Sequence, residues 1–222
     1  MELIIFDCDG VLVDSEAILV EAELDFFMQH GVEIKRDSYI DQFMGIPMDD
    51  WKVKASELIG EKFHTPISDD FFKPLEDSIS KRIKEELLAI DGACQAISSL
   101  NKLKCVASSS SIRSLKSKLT QTGLLNLFDP HIFSTQLVEH GKPAPDLFLH
   151  AANELNVLPN ECVVVEDSAN GVLAGKRAGM QVIGFIGGGH CPPGHSDALL
   201  AKGADFIATD YSDLVKNVLI HD

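Results

Sequence analysis

The sequence predicts an α/β protein in which helices flank a parallel sheet and an all-helical segment is inserted near the amino terminus. Short, nearly continuous apolar runs are typical of strands that are buried on both faces. Helical patterns separate these runs over residues 91–222, as in the βαβ units that build a parallel sheet. Residues 15–90, by contrast, carry helical periodicity and almost no strand-like runs.

Six apolar runs are the predicted strands, and four helical patterns lie among them. The strands are residues 3–6, 104–107, 131–134, 162–165, 182–186 and 205–208. The helices are residues 91–100, 112–122, 145–155 and 168–178. Gly123 and Gly179 follow two of these helices, at the position where glycine commonly ends a helix. This alternation predicts a Rossmann-like core.

Residues 15–90 are predicted to form an inserted helical cap domain, with helices at 17–30, 51–59 and 70–88. The core domain then consists of residues 1–14 and 91–222. Because the insert follows the carboxyl end of the first strand, we expect it to cover the crevice in which open α/β sheets bind ligands.

The charge of the chain limits the partners that it can bind. The sequence has 222 residues, with 19 Lys and Arg against 34 Asp and Glu, so the formal net charge is −15. Such a chain is repelled by nucleic acids and anionic lipid surfaces, and we expect neither as a partner. The same charge favours a monomer. No apolar run approaches the roughly 20 residues of a membrane span, and no cationic segment precedes the first strand, so we expect a cytoplasmic protein.

The cysteines and histidines do not predict a metal site or a disulfide framework. Five cysteines occur, none in a CxxC spacing, and the eight histidines are scattered. We therefore expect reduced, buried thiols and no zinc site.

The first strand is followed directly by two carboxylates, Asp7 and Asp9, with Gly10 permitting a turn. A turn alone requires one Asp. Two acids at this spacing predict two different roles: one carboxylate attacks a phosphorus atom, and the other transfers protons. An acid that attacks an anionic phosphate needs a metal ion and a fixed cation to neutralise the site.

The sequence offers candidates for both positive charges. Glu166 and Asp167 end another apolar strand, and their oxygens suit Mg²⁺; the alternative is that Asp167 or Ser168 caps the following helix. Lys142 lies between a glycine and two prolines that hold the chain extended before a helix; the alternative is a solvated surface lysine.

Hydroxyl groups follow the strand at 104–107. Ser108 and Ser109 begin a run of four serines before a helix, where hydroxyls and free N–H groups bind phosphate oxygens. The alternative is that the serines only cap this helix. Since the carboxyl ends of parallel strands share one edge of a sheet, we expect these serines, the acids and Lys142 to lie together there.

These motifs resemble, in order, the four motifs of the haloacid dehalogenase-like (HAD) hydrolases. The resemblance rests on DCDGVLVD at 7–14, the serine after Val106-Ala107, GKPAPD at 141–146 and VVVEDSANG at 163–171. The helical insert is similar to the cap of subgroup I, which contains β-phosphoglucomutase and sugar phosphatases. The resemblance implies that Asp7 is the nucleophile and Asp9 the acid/base. It also implies that Ser108, Ser109 and Lys142 bind phosphate, and that Asp7, Asp9, Glu166 and Asp167 surround Mg²⁺.

Within that family, the leading hypothesis is a Mg²⁺-dependent phosphatase for a small phosphorylated sugar or sugar acid, acting through an aspartyl-phosphate. Asp9 argues against dehalogenation, since dehalogenases lack an acid there. A β-phosphoglucomutase-type mutase is the alternative. The resemblance puts Leu19 and Met48 where such mutases carry a histidine and a phosphate-binding arginine. A receiver-like phospho-aspartate switch is more remote, since a receiver has no chamber for an insert to cover.

Overall fold

A computed structural model of the chain describes residues 1–43, 46, 48–63 and 68–220. Contacts between Cα atoms divide the chain into two compact units, one of residues 1–14 and 88–222, the other of residues 15–87. We call them the core unit and the helical unit. The predicted boundary at 90/91 lies three residues beyond the observed one. Part of the predicted insert, residues 44, 45, 47 and 64–67, lies outside the described residues.

The core unit is built on a six-stranded parallel sheet, as predicted. Its strands are β1 (Leu3–Phe6), β2 (Leu103–Ser108), β3 (Ile132–Ser134), β4 (Cys162–Glu166), β5 (Gln181–Phe185) and β6 (Phe206–Ala208). Their spatial order is β3-β2-β1-β4-β5-β6, and every neighbouring pair is parallel. This is the doubly wound order, in which strands β1 to β3 are added toward one edge of the sheet and β4 to β6 toward the other. The strand order therefore reverses between β1 and β4, and ligands bind beyond the carboxyl ends of the strands at that point.

Six helices of the core unit are described. They are α5 (Ala93–Ser99), α6 (Ile112–Gln121), α7 (Asp146–Glu154), α8 (Ala169–Arg177), α9 (His195–Ala201) and α10 (Tyr211–Ile220). The first four confirm the predicted helices within two residues at each end.

Alternate residues of each strand point to opposite faces of the sheet, and side chains on both faces are buried. Leu3 and Ile5 pack into a cluster that includes Leu147 of α7 and Val172 of α8. Phe6 points to the other face, where its ring lies 5.7 Å from that of Phe128. Burial on both faces explains why the strands are apolar throughout rather than alternating.

The helical unit contains α1 (Ser15–Gln29), α2 (Arg36–Phe43), α3 (Met48–Phe63) and α4 (Lys73–Glu86), with a short 3₁₀ helix at Asp69–Phe72. Its described interior is rich in aromatic side chains, among them Phe27, Tyr39, Trp51 and Phe72. A buried carboxyl also lies here: Tyr39 donates a short hydrogen bond to Glu23, and Trp51 Nε1 donates to Tyr39 Oη at 2.8 Å.

The sequence patterns did not predict helices α2, α9 and α10. Helix α2 carries a largely polar sequence, RDSYIDQF, whose buried members Tyr39, Ile40 and Phe43 are too few for a clear stripe. Helix α9 is only seven residues long and follows Gly194. Among the helices of the described residues, none has the length and apolar character needed to span a bilayer.

Candidate active site

Asp7 and Lys142 meet at the carboxyl edge of the sheet. Asp7 directly follows β1, and its backbone N–H donates to Val165 of β4, so it lies where the strand order reverses. Lys142 approaches from the loop before α7, and its Nζ donates to Asp7 Oδ1 at 2.5 Å and to the Ala107 carbonyl at 3.1 Å. The Lys142 side chain is 6% exposed, so this lysine is not a solvated surface residue.

Glu166, the last residue of β4, is the second partner of Lys142. Its Oε1 accepts a hydrogen bond from Lys142 Nζ at 2.6 Å. Its Oε2 accepts from the backbone N–H of Ser168 at 3.0 Å and from the Ser168 hydroxyl at 2.9 Å. Ser168 in turn caps α8 through Gly171 N–H. Glu166 therefore ties the lysine to the start of the following helix.

Asp167 lies beside the turn that carries Asp9. Gly10 adopts φ +76°, and a Cβ at this position would overlap the Asp167 carboxylate. Only glycine adopts such a conformation readily and lets the backbone approach so closely. Asp167 Oδ2 lies 2.9 Å from His190 Nε2, and its backbone carbonyl lies 2.6 Å from His195 Nε2. The helix cap at this position is Ser168, not Asp167.

The Asp9 side chain is held from α6 and from the loop before it. Lys118 Nζ forms a short ion pair with Asp9 Oδ1, and the Ser110 hydroxyl donates to Asp9 Oδ2 at 2.8 Å. Lys118 Nζ also donates to Ser110 Oγ at 3.3 Å. The Asp9 carboxylate is thus turned toward a different cation from the one that contacts Asp7.

The two predicted serines differ in their surroundings. Ser108 ends β2 and is buried, and its Oγ accepts a hydrogen bond from Ser110 N–H at 3.3 Å. Ser109 is exposed, and its carbonyl accepts from Thr135 Oγ1 at 3.1 Å. The helix cap predicted as an alternative is formed by Ser111, whose side chain accepts from Ser114 N–H. Ser108 therefore directly follows Ala107, whose carbonyl oxygen accepts a hydrogen bond from Lys142 Nζ.

The electrostatics of the site show an excess of negative charge. Burial raises the pKa of Asp7 well above its usual range, Lys142 partly opposes this, and the charges of Glu166, Asp167 and Asp9 raise the pKa further. Burial lowers the pKa of Lys142, but the charges of Asp7 and Glu166 and the hydrogen bonds to them outweigh it, so its pKa is raised. The four carboxylates of this cluster therefore outnumber the two lysines, Lys142 and Lys118, that contact them.

Three contact residues were not predicted from the sequence. Lys118 is one of two lysines on an amphipathic helix, and nothing in its spacing distinguishes it from the other. Ser110 belongs to the predicted serine run but was not singled out. His190 lies between three glycines at 187–189 and Pro192-Pro193-Gly194, a composition typical of a surface loop, yet its side chain is buried. The feature of the sequence that could have indicated His190 is a histidine among residues that otherwise form turns.

The family of the chain follows from comparison with known proteins. The family model for haloacid dehalogenase-like hydrolases matches residues 1–179. The chain belongs to this family. The match spans the DCDGVLVD, GKPAPD and VVVEDSANG motifs and the serine after Ala107, as the resemblance implied.

Two HAD relatives illustrate the range of similarity. The 6-phosphogluconate phosphatase of Escherichia coli (strain K12) is 30% identical over 197 residues, which are 87% of this chain and 86% of that protein. The phosphorylated carbohydrates phosphatase of Thermotoga maritima is 32% identical over 187 residues, which are 82% of this chain and 84% of that protein.

Solved HAD structures share the whole fold. A conserved haloacid dehalogenase-like protein from Agrobacterium tumefaciens str. C58 superposes with a TM-score of 0.90 at 35% identity, covering 100% of this chain and 99% of that one. A HAD family hydrolase from Deinococcus radiodurans R1, with bound phosphate and sodium, has a TM-score of 0.86 at 30% identity, covering 100% and 96%.

Proposed function

We propose that this HAD hydrolase is a Mg²⁺-dependent phosphatase that cleaves a small phosphorylated metabolite, a sugar or sugar-acid phosphate, through a phosphorylated Asp7. The observation that carries the proposal is the contact of buried Lys142 with Asp7 and Glu166 at the point where the strand order reverses. The relatives named above act on 6-phosphogluconate and on phosphorylated carbohydrates, by their names, and this supports the substrate class.

Each residue has a distinct part in the proposed reaction. A carboxylate oxygen of Asp7 attacks phosphorus, and the bond from phosphorus to the substrate oxygen breaks. Asp9 donates a proton to that leaving oxygen, and then takes one from the water that hydrolyses the phospho-aspartate. Lys118 and Ser110 hold the Asp9 carboxylate in one orientation. Lys142 and the Ser108 hydroxyl bind the phosphoryl oxygens.

A divalent cation fits the donor set of the site. Asp7 and Asp167 present hard carboxylate oxygens, which Mg²⁺ prefers. Burial, together with the charges of Glu166, Asp167 and Asp9, raises the pKa of Asp7 despite the opposing charge of Lys142. We propose Asp7, Asp167 and the backbone carbonyl of Asp9 as ligands. Both oxygens of Glu166 are engaged by Lys142 and Ser168, which supports an indirect role. Bound Mg²⁺ would neutralise the phosphate and polarise its oxygens.

The helical unit is proposed to act as a cap that excludes water during the reaction and opens to release product. In the sequence it follows directly after the turn that carries Asp7 and Asp9. Leu19 and Met48, where the resemblance places two cations of mutases, carry no charge, and this favours transfer of phosphate to water. We also propose that the chain acts as a monomer, because its net charge of −15 makes copies repel.

The proposal is tested by phosphate release from p-nitrophenyl phosphate. The wild-type chain should hydrolyse it with Mg²⁺ and lose activity in EDTA. Asp7→Asn removes the nucleophile and should lower the rate by roughly a thousandfold or more.

Asp91→Asn is the control, because Asp91 is an exposed acid of the same unit. It should match the wild type. Equal rates for Asp7→Asn and the wild type, or rates that do not respond to EDTA, would contradict the proposal. A panel of sugar phosphates and sugar-acid phosphates would then identify the substrate.

A further inference from the structure

A second group of metal-binding side chains lies outside the oxygen-rich cluster. His190 and Cys191 are in the loop after β5, and His195 begins α9. Each offers one ligand atom, and these atoms all lie within 4.8 Å of one another. The sequence pattern is HCPPGH, so the three residues are close along the chain as well. The histidines as a whole are scattered along the sequence, and for this reason the sequence predicts no zinc site.

The distance between the Cys191 sulfur and the nearest His190 nitrogen suits two ligands of one tetrahedral ion. Cys191 Sγ lies 3.6 Å from His190 Nε2. With zinc–sulfur bonds of about 2.3 Å and zinc–nitrogen bonds of about 2.0–2.1 Å, two ligands of a tetrahedral ion are about 3.6 Å apart. Imidazole nitrogen and thiolate sulfur are ligands of Zn²⁺, whereas Mg²⁺ prefers oxygen, so the chemistry of this group differs from that of Asp7 and Asp167.

The tautomer of His195 is fixed in a form that can bind a metal. The His195 Nε2 atom lies 2.6 Å from the carbonyl oxygen of Asp167, which only accepts hydrogen bonds, so Nε2 carries the hydrogen. The lone pair is then on Nδ1. Histidine ligands of metals commonly donate their other ring N–H to a backbone carbonyl in this way.

The His190 ring is buried, with a side chain that is 5% exposed, and its two nitrogens have different surroundings. Within the described residues its Nδ1 is a buried atom with no hydrogen-bond partner. The nitrogen that lies near Cys191 is Nε2, which also contacts Asp167 Oδ2. The backbone at Gly188 is packed against this ring, and a side chain there would overlap it.

We propose that His190, Cys191 and His195 form a binding site for Zn²⁺ or a similar thiophilic divalent ion, beside the proposed Mg²⁺ site. The ion bonds to the Cys191 sulfur, to Nε2 of His190 and to Nδ1 of His195. Each bond that uses a protonated group releases that proton. An ion at His190 Nε2 takes the place of the hydrogen now shared with Asp167 Oδ2, so the two sites adjoin at Asp167.

The test uses Co²⁺ as a spectroscopic substitute for Zn²⁺ on the full chain, with Mg²⁺ in excess to fill the oxygen site, at about pH 8, near the ordinary pKa of a thiol. The wild type should bind one Co²⁺ and show thiolate-to-cobalt charge-transfer absorption in the near ultraviolet. Zn²⁺ should abolish it. Zn²⁺ affinity is measured by competition with a chromophoric chelator.

Cys191→Ser should lose this absorption and bind Zn²⁺ at least about tenfold more weakly. Cys94→Ser is the matched control, because Cys94 is a free, exposed thiol of the same unit. It should behave as the wild type. His195→Gln should weaken Zn²⁺ binding while keeping the thiolate absorption, which distinguishes a lost ligand from a misfolded chain.

A wild-type chain without thiolate absorption, or a Cys191→Ser chain with unchanged spectrum and Zn²⁺ affinity, would overturn the proposal. The readout is metal binding and not hydrolysis. Its result is therefore independent of whether the chain is a phosphatase.

Discussion

At the scale of single residues, the two acids that follow β1 are contacted by two different lysines. Lys142 contacts Asp7 together with Glu166, while Lys118 contacts Asp9 together with Ser110. The side chain of Lys118 is 11% exposed, so its charge is only weakly screened by solvent. In the proposed reaction Asp7 and Asp9 have different tasks, and the separate cations give each carboxylate its own orientation.

We expect Lys118→Met to lower kcat for p-nitrophenyl phosphate by about tenfold or more, because general acid–base catalysis contributes roughly 10²–10⁴ and depends on the placement of the acid. KM should change little, since Lys118 acts on Asp9 and not on the substrate. Lys118→Arg should restore part of the rate. Steady-state kinetics measures the split between kcat and KM.

Lys116→Met is the control for this variant. Lys116 lies on the same helix, is half exposed, and its Nζ is 3.6 Å from Asp129, away from the site. It should keep the wild-type kcat. If both variants lose the same activity, Lys118 has no specific effect on Asp9.

At the scale of elements, the turn after β1 brings the backbone of one strand exit against the carboxylate of another. Gly10 has φ +76°, and its α-carbon faces Asp167 and His190. The turn is closed by the hydrogen bond from Gly10 N–H to the Val13 carbonyl at 2.9 Å. The strand exits of β1 and β4 can approach this closely only where no side chain stands between them.

Gly10→Ala should therefore lower the free energy of unfolding by more than the positive φ alone would. A non-glycine residue at positive φ costs about 1–3 kcal/mol, and here the new methyl group also overlaps Asp167. Gly123→Ala is the matched control, because Gly123 has φ +75° and nothing within 4 Å of an added Cβ. Urea unfolding should show the larger loss of stability in Gly10→Ala, with hydrolysis impaired in that variant alone. Equal losses would mean that the contact with Asp167 is unimportant.

At the scale of the whole molecule, the chain carries an excess of acids, and one of them is buried in the helical unit. Burial raises the pKa of Glu23, the hydrogen bond from Tyr39 lowers it, and the charge of Glu16 raises it, with the result a pKa of about 7. A carboxyl group whose pKa is higher in the folded state than in the unfolded chain binds its proton more tightly when folded. Its contribution to stability is full at low pH and is lost as the pH rises through about 7.

We expect the free energy of unfolding of the wild type to fall between about pH 5 and about pH 8, by up to about 3 kcal/mol on account of Glu23. Glu23→Gln keeps an acceptor for Tyr39 but cannot ionise, so its stability should fall less over the same range. Glu57→Gln, at an exposed position on α3, is the control and should follow the wild type. Urea unfolding at each pH, followed by circular dichroism and by the fluorescence of Trp51, measures the effect. Parallel pH profiles for wild type and Glu23→Gln would contradict it.

The sequence by itself determined the sheet and the residues that meet at its carboxyl edge. All six strands were predicted because strands buried on both faces must be apolar throughout, which a single sequence shows. The acids after β1 and β4, and the serine after β2, were predicted to lie together because parallel strands end at one edge. The position of each of these residues relative to the end of its strand can be read directly from the sequence.

The tertiary structure alone decided which groups hold these acids. Lys118 is 109 residues from Asp9 along the chain, and it reaches that carboxylate only because α6 packs beside β3. His190 is brought to Asp167 by a loop whose composition indicates only turns. Helix α2 is likewise defined by what its few apolar residues contact. Such contacts arise when segments that are distant in the sequence pack together, and the local pattern of a sequence does not show which segments will do so.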